Sequence, residues 1–266
     1  MVSSSVLAGL IVSAVLTVVW LLAVFLICRR RMTVSVRNII VGAGVFFVFS
    51  QVLEKALHLY LLKANPATAA WLHGHAIAFA LYGCLAAGLF EEIGRYLGMR
   101  FLVRSTGNPG TAVAYGLGHG GLEAMLIGGV ATVQTFVFAT MLNSGRLDTA
   151  LGAALTPDAL THLRAGLQHL SVVTVAAGAV ERLIALLIQI GLSLVVWRAV
   201  ETRRPALLAL AVLLHAVIDC PAGLVQAGLI ATPLVEGLLL VLGVALIVFF
   251  LRHLPRKAAA AVSQSA

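Results

Sequence analysis

Charge is scarce in this chain: Asp, Glu, Lys and Arg make up 11% of its 266 residues, against 61% hydrophobic. Water-soluble domains carry about a quarter charged residues, so an ordinary soluble enzyme is excluded, and so is a disordered chain. Cysteine is scarce as well. Cys28, Cys84 and Cys220 are scattered through apolar stretches without CxxC spacing. That excludes a disulfide scaffold and a thiolate zinc site, and leaves three small apolar residues. HExxH, the helical motif that would point directly to a zinc peptidase, is absent. The N-terminus lacks the cationic region and small-residue cleavage site of a removable signal peptide, and its apolar run ends in Arg29-Arg30-Arg31. We read it as a retained anchor. No internal repeat and no separate soluble domain is visible.

What is abundant is apolar sequence, with a mean hydropathy of +1.05. About 20 helical residues cross a hydrocarbon core, and runs of that kind fall at about 5–28, 38–62, 71–99, 111–141, 167–197, 205–227 and 229–251. The expected fold is therefore an all-α bundle of seven spans forming one integral membrane domain over 1–266, in a bacterial plasma membrane. The formal charge of +8 and pI near 10.1 do not indicate nucleic acid, because the basic residues sit in short clusters between apolar runs. Arg29, Arg30, Arg31 and Arg37 follow the first span, Arg100 and Arg104 the third, Arg198, Arg203 and Arg204 the fifth, and Arg252, Arg256 and Lys257 the last. The alternate loops hold Lys63, Arg146 and Arg164. Positive charge stays on the cytoplasmic side, which predicts an outside N-terminus and an inside C-terminus. The loop at about 142–166 contains a short amphipathic helix from Pro157, and the Ala/Ser-rich tail 253–266 is frayed.

Ionisable groups inside spans carry the functional information, since Arg or Asp at a helix centre costs about 2.5–3.5 kcal/mol on insertion scales. The third span holds Glu91, Glu92 and Arg95; the fourth Tyr115, His119 and Glu123; the fifth Glu181 and Arg182; the sixth His215 and Asp219. At 1.5 Å per residue, Glu91 lies roughly 13 Å below Arg100, His119 roughly 13 Å below Gly110 and His215 roughly 15 Å below Pro205. Antiparallel spans have no reason to put rare polar residues at one level unless those residues meet, in a wet chamber open to the cytoplasmic side. His119 and Glu123 are i,i+4, as are His215 and Asp219 and Glu91 and Arg95, so each pair shares a helix face. Gly116, Gly118, Gly120 and Gly121 allow close helix approach, and the run from Gly118 to Gly121 predicts a local helix irregularity.

The set Glu91-Glu92-x-x-Arg95, Tyr115-x-x-x-His119 with Glu123, Glu181-Arg182 and His215-x-x-x-Asp219 resembles the YhfC family of membrane peptidases. That family is similar to the glutamic intramembrane proteases that include the CAAX prenyl protease and bacteriocin-processing enzymes, whose motifs read EExxxR, FxxxH and HxxxN/D. The resemblance covers about 71–225, a catalytic core, and leaves the spans at 5–28, 38–62 and 229–251 peripheral. It implies that Glu91 activates a water, with Glu92 and Arg95 beside it, that His119 helps to hold that water or the carboxylate, and that His215 with Asp219 stabilises the oxyanion. This chain departs from the pattern in three places. EExxR replaces EExxxR, as in the PrsW branch, and does not say which glutamate faces the site; Tyr115 replaces Phe; and Asp219 stands where Asn is common.

The expected activity is hydrolysis of a peptide bond in a membrane-bound or membrane-proximal substrate, with no cofactor and no nucleic-acid partner. Two other readings use the same atoms. His119 and His215 with a carboxylate from Glu91, Glu123 or Asp219 form a zinc site, or the midplane groups form the relay of a proton-coupled transporter. Glu181 is expected to support the site from behind and Arg182 to meet a glutamate; adjacent helix residues do not face each other. Glu54, Lys55, His58, His73 and His75 read as interfacial anchors. The topology is testable: a membrane-impermeant thiol reagent labels Ser3→Cys in intact cells and Ser265→Cys only after permeabilisation.

Overall fold

A computed structural model describes residues 1–103 and 107–253. Its helices are α1 (Ser4–Arg31), α2 (Val36–Phe46), α3 (Lys55–Leu59), α4 (Pro66–Gly74), α5 (Ala76–Leu97), α6 (Pro109–Ala124), α7 (Ala131–Asn143), α8 (Leu147–Leu151), α9 (Pro157–Gln168), α10 (Val172–Thr202), α11 (Pro205–Gln226) and α12 (Thr232–His253). Wider π-helical turns at Phe47–Glu54 and Tyr60–Ala64 join α2, α3 and the segment that follows into one rod. Similar turns at Gly98–Leu102 extend α5, and at Met125–Val130 join α6 to α7. Six of the resulting rods are long and apolar enough to cross a membrane: Ser4–Arg31, Val36–Ala64, Ala76–Leu102, Pro109–Asn143, Val172–Thr202 and Pro205–Gln226. The 22-residue α12 falls where the seventh span is expected. The chain is an all-α, multi-pass integral membrane protein, with no strand among the described residues. Arg104, Arg256, Lys257 and the tail beyond residue 253 lie outside the described residues.

Local chemistry accounts for the boundaries. The third span begins at Ala76 rather than near 71, because Pro66 opens a separate short helix that ends at Gly74. Asn65 caps it, its Oδ1 accepting from the amides of Ala67 at 3.1 Å and Thr68 at 3.3 Å. The helix expected from Pro157 is α9, with the Thr156 hydroxyl accepting from the Ala159 amide at 3.3 Å. The irregularity expected at Gly118–Gly121 is absent: α6 stays α-helical to Ala124, and the widened turn comes at Met125–Val130. Those glycines are spent on close approach instead. A Cβ on Gly118 would lie 1.8 Å from the Ile39 carbonyl oxygen, and one on Gly42 would lie 2.1 Å from that of Tyr115, so α2 and α6 meet backbone to backbone. Pro221 sits inside α11 and offers no N–H to the Val217 carbonyl.

The chain packs as two compact units. One comprises Met1–Ala23 and Glu123–Leu183. Val2, Val6, Leu10, Ala139, Leu147, Leu167 and Val175 form its core. The Asn143 side-chain amide clasps the N-terminal segment there, accepting from the Val2 amide at 2.7 Å and donating to its carbonyl at 2.8 Å. The other unit comprises Val24–Leu122 and the chain from Ile184 onward. In it α5 pairs extensively with α11. Val45, Met99, Val103, Ala112, Tyr115, Val196, Val200 and Ala211 pack its core, and Ile184, Ile188 and Leu192 meet α12 at Leu239 and Leu242.

A methyl group at the α2–α6 contact forces the two helices apart, and overpacking of this kind costs about 1–3 kcal/mol. Gly118→Ala therefore lowers the melting temperature in detergent, whereas Gly178→Ala, with no atom within 4 Å of the added carbon, does not. Equal melting temperatures for the two variants would contradict the contact.

Candidate active site

Successive helix residues are turned by about 100°, so Glu91 and Glu92 of α5 face different neighbours. Glu92 faces Arg95, which is i,i+3 and on the same side. The guanidinium grips it in two-pronged fashion, Nε donating to Oε2 and Nη2 to Oε1, both at 3.0 Å, and both side chains are fully buried. The other donors of Arg95 turn mainly to α10, and Nη2 also lies 3.3 Å from His119 Nε2 on α6. Nη1 donates to the Gln189 carbonyl oxygen at 3.0 Å and to Ser193 Oγ at 2.5 Å, and Nη2 donates to Gln189 Oε1. Ser193 Oγ in turn donates to the Gln189 carbonyl at 2.8 Å.

Glu91 faces the imidazoles. Its Oε2 lies 2.9 Å from His119 Nε2 on α6 and 3.7 Å from His215 Nε2 on α11, and it accepts from Gln189 Nε2 at 3.3 Å. The other nitrogen of His215, Nδ1, donates to Glu92 Oε1 at 2.7 Å, and Nε2 lies 3.3 Å from Asp219 Oδ2. Glu91, Glu92, His119 and His215 are all buried, while the Asp219 side chain is 42% exposed. Three spans thus bring their acids and imidazoles together, as the matched depths led us to expect, and the two glutamates meet different partners. Arg95 and His215 Nδ1 occupy Glu92, and Glu91 presents its carboxylate to both imidazole Nε2 atoms.

The other candidates fall around this cluster or elsewhere. Tyr115 is fully buried in the core, its ring 6.3 Å from that of His119 and its hydroxyl against Gly98, with no hydrogen-bond partner. Glu123 lies one turn beyond His119 on α6. Glu181 and Arg182 correct the expectation that neighbours do not pair: Arg182 Nη2 lies 3.6 Å from Glu181 Oε2. The reach of the arginine stem, which packs on Gly128 and near Thr17, lets its head curl back to the adjacent carboxylate. The second polar group holds one buried member. Glu54 is buried and meets His58 Nε2 at 3.2 Å, while His58 Nδ1 takes the Tyr82 hydroxyl at 2.6 Å. His73 and His75 are exposed and bond back to the carbonyls of Ala69 and Trp71. Gln189 and Ser193 were missed, because neutral polar residues in an apolar run were not weighed; their i,i+4 spacing on α10 was the available signal.

The donor set was tested against a metal ion. Tetrahedral zinc with N and O ligands at 2.0–2.2 Å places ligand atoms about 3.3 Å apart. Glu91 Oε2 lies 2.9 Å from His119 Nε2, near that figure, and 3.7 Å from His215 Nε2, which lies 3.3 Å from Asp219 Oδ2. A metal-binding histidine typically gives its second N–H to a carboxylate, and His215 does so to Glu92. His119 has no such support, since its buried Nδ1 lacks a partner. Glu91 and His119 are close enough to share a metal ion, and His215 is the imidazole whose second nitrogen is already held.

Acids and imidazoles joined inside the membrane-crossing helices of a multi-pass chain are the equipment of an intramembrane protease. The chain belongs to the YhfC intramembrane metalloprotease family, whose model matches residues 12–240. It is 39% identical over 223 residues, 84% of this chain and 86% of the relative, to the uncharacterized membrane protein YhfC of Bacillus subtilis (strain 168). No solved structure matches. The family description as a metalloprotease, with a donor set that fits, does not support the expectation of no cofactor.

Removing Arg95 alone strands the Glu92 charge in a dry interior, at a cost of about 3–5 kcal/mol. Chemical unfolding in detergent therefore finds Arg95→Met strongly destabilised and Glu92→Leu/Arg95→Met substantially restored. A double variant as unstable as the single would mean that the pair is not what the interior requires.

Proposed function

We propose that this intramembrane protease hydrolyses a peptide bond of a membrane-bound or membrane-proximal substrate at the centre formed by Glu91, His119 and His215, reached from the cytoplasmic side. The single observation behind this reading is the Glu91 carboxylate oxygen lying 2.9 Å from His119 Nε2 and 3.7 Å from His215 Nε2, buried, with each group from a different span. Glu91 accepts the proton of the attacking water, which His119 orients. Negative charge developing on the scissile carbonyl oxygen is met by His215, whose ring is fixed by Glu92 and flanked by Asp219. Glu92 is held ready for that role by Arg95 and takes no proton from the water. A donor aimed at an oxyanion in a dry site is worth about 10²–10³ in turnover.

A divalent metal, zinc by the chemistry of the donors, would be held by His119 and His215 with a carboxylate from Glu91, Glu123 or Asp219, and would supply Lewis-acid polarisation and a more acidic water. The family description as a metalloprotease agrees with this form. The glutamic form, in which Glu91 activates the water without a metal, uses the same side chains.

Cleavage of a transmembrane peptide in liposomes by the purified protein tests both. Glu91→Gln and His215→Ala each lose about 10²-fold or more in turnover; retained cleavage in both refutes the assigned roles. Elemental analysis finds one bound zinc per chain, and a strong chelator abolishes cleavage until zinc is restored. Metal-free protein with full activity would leave the glutamic form.

A further inference from the structure

We infer that Gln189 is the positioning residue for Glu91: its side-chain amide, oriented by Arg95, fixes the direction of the carboxylate at the centre of the site. The inference rests on the peptidase reading above. Its geometric core is that a guanidinium has donors and no acceptor. The Gln189 side-chain atom facing Arg95 Nη2 is therefore the carbonyl oxygen, and the two ends of the amide cannot be exchanged. The NH2 end is then turned to Glu91 Oε2, 3.3 Å away. The backbone of the same residue is held too, its carbonyl accepting from Arg95 Nη1 at 3.0 Å and from Ser193 Oγ at 2.8 Å.

Room for this side chain comes from α6. A Cβ on Gly120 would lie 2.7 Å from Gln189 Cβ and 3.1 Å from Cγ, so any larger residue there displaces the amide. Gln189 is 4% exposed, and a buried amide is costly unless both ends are bonded, as they are. An amide also suits the position chemically. It gives Glu91 a fixed donor without adding charge, whereas a carboxylate would set a third acid beside Glu91 and Glu92, and an apolar side chain would leave the Glu91 oxygen to the imidazoles alone. Arg95 thus orders both glutamates, Glu92 by direct grip and Glu91 through Gln189.

The test compares full-length parent, Gln189→Met and Gln189→Glu in liposomes. Gln189→Met loses about 10–100-fold in kcat, the usual effect of removing a supporting hydrogen bond, with KM within twofold and beyond any loss in the fraction of folded protein; Gln189→Glu does no better. A kcat within twofold of the parent, or a loss that only follows the fraction of folded protein, overturns the inference. A readout free of catalysis separates this from failure of the peptidase reading. Labelling of Glu91 by a hydrophobic carbodiimide, followed by peptide mass spectrometry, rises at least threefold in Gln189→Met once the amide no longer occupies the carboxylate, with exposed Asp158 as internal reference. Unchanged labelling overturns the positioning role whether or not the protein cleaves peptides, whereas Glu91→Gln cleaving like the parent removes the peptidase reading and leaves the labelling result standing.

Discussion

A guanidinium sealed inside apolar helices is the constraint from which the rest of the site follows. Arg95 is fully buried and cannot shed its charge, so the fold has to supply a counter-ion and an acceptor for each of its donors. Glu92 supplies the counter-ion from the same helix, and α10 supplies the acceptors through Gln189 and Ser193. That commitment divides the labour of the two adjacent acids. One is consumed by neutralisation and by steadying His215, and the other is left with imidazoles for neighbours.

Convergence of this kind needs helices closer than ordinary side chains permit. The α2–α6 contact runs backbone to backbone at Gly42 and Gly118, and α6 leaves a corridor at Gly120 through which Gln189 reaches Arg95. With no hydrophobic drive between helices in lipid, small residues and satisfied polar groups are what remain to hold them in register. The glycines and the polar cluster are therefore two parts of one arrangement: the first sets the distance between axes, and the second is possible only at that distance.

Much of this could be read from the chain itself. Six spans and the place of α12 follow from hydropathy, and the meeting of Glu91, His119 and His215 follows from three depths that agree, because helical rise is regular enough to be counted. The orientation of two successive glutamates was not readable, since each choice satisfies the pattern and only the partners across the gap decide. Gln189 and Ser193 escaped because a neutral amide and a hydroxyl do not stand out among apolar neighbours as a charge does. The partition into two packed units, the widened turns and the Glu181–Arg182 contact depend on how side chains curl and helices pair, which no periodicity records. The Glu54–His58–Tyr82 chain, buried at its glutamate, shows the same limit: position suggests a headgroup anchor, and only the partners reveal a run of hydrogen bonds.

Pro221 adds a mechanical consequence. Its ring removes one rung from the α11 ladder a turn and a half past His215, so the Val217 carbonyl has no amide to close on. A rod missing a rung bends there at lower cost than anywhere else along its length. The His215 stretch of α11 stays clamped against α5 through Glu92, and the crease falls in the short end from Ala222 to Gln226, so bending there leaves the imidazole where the carboxylates hold it.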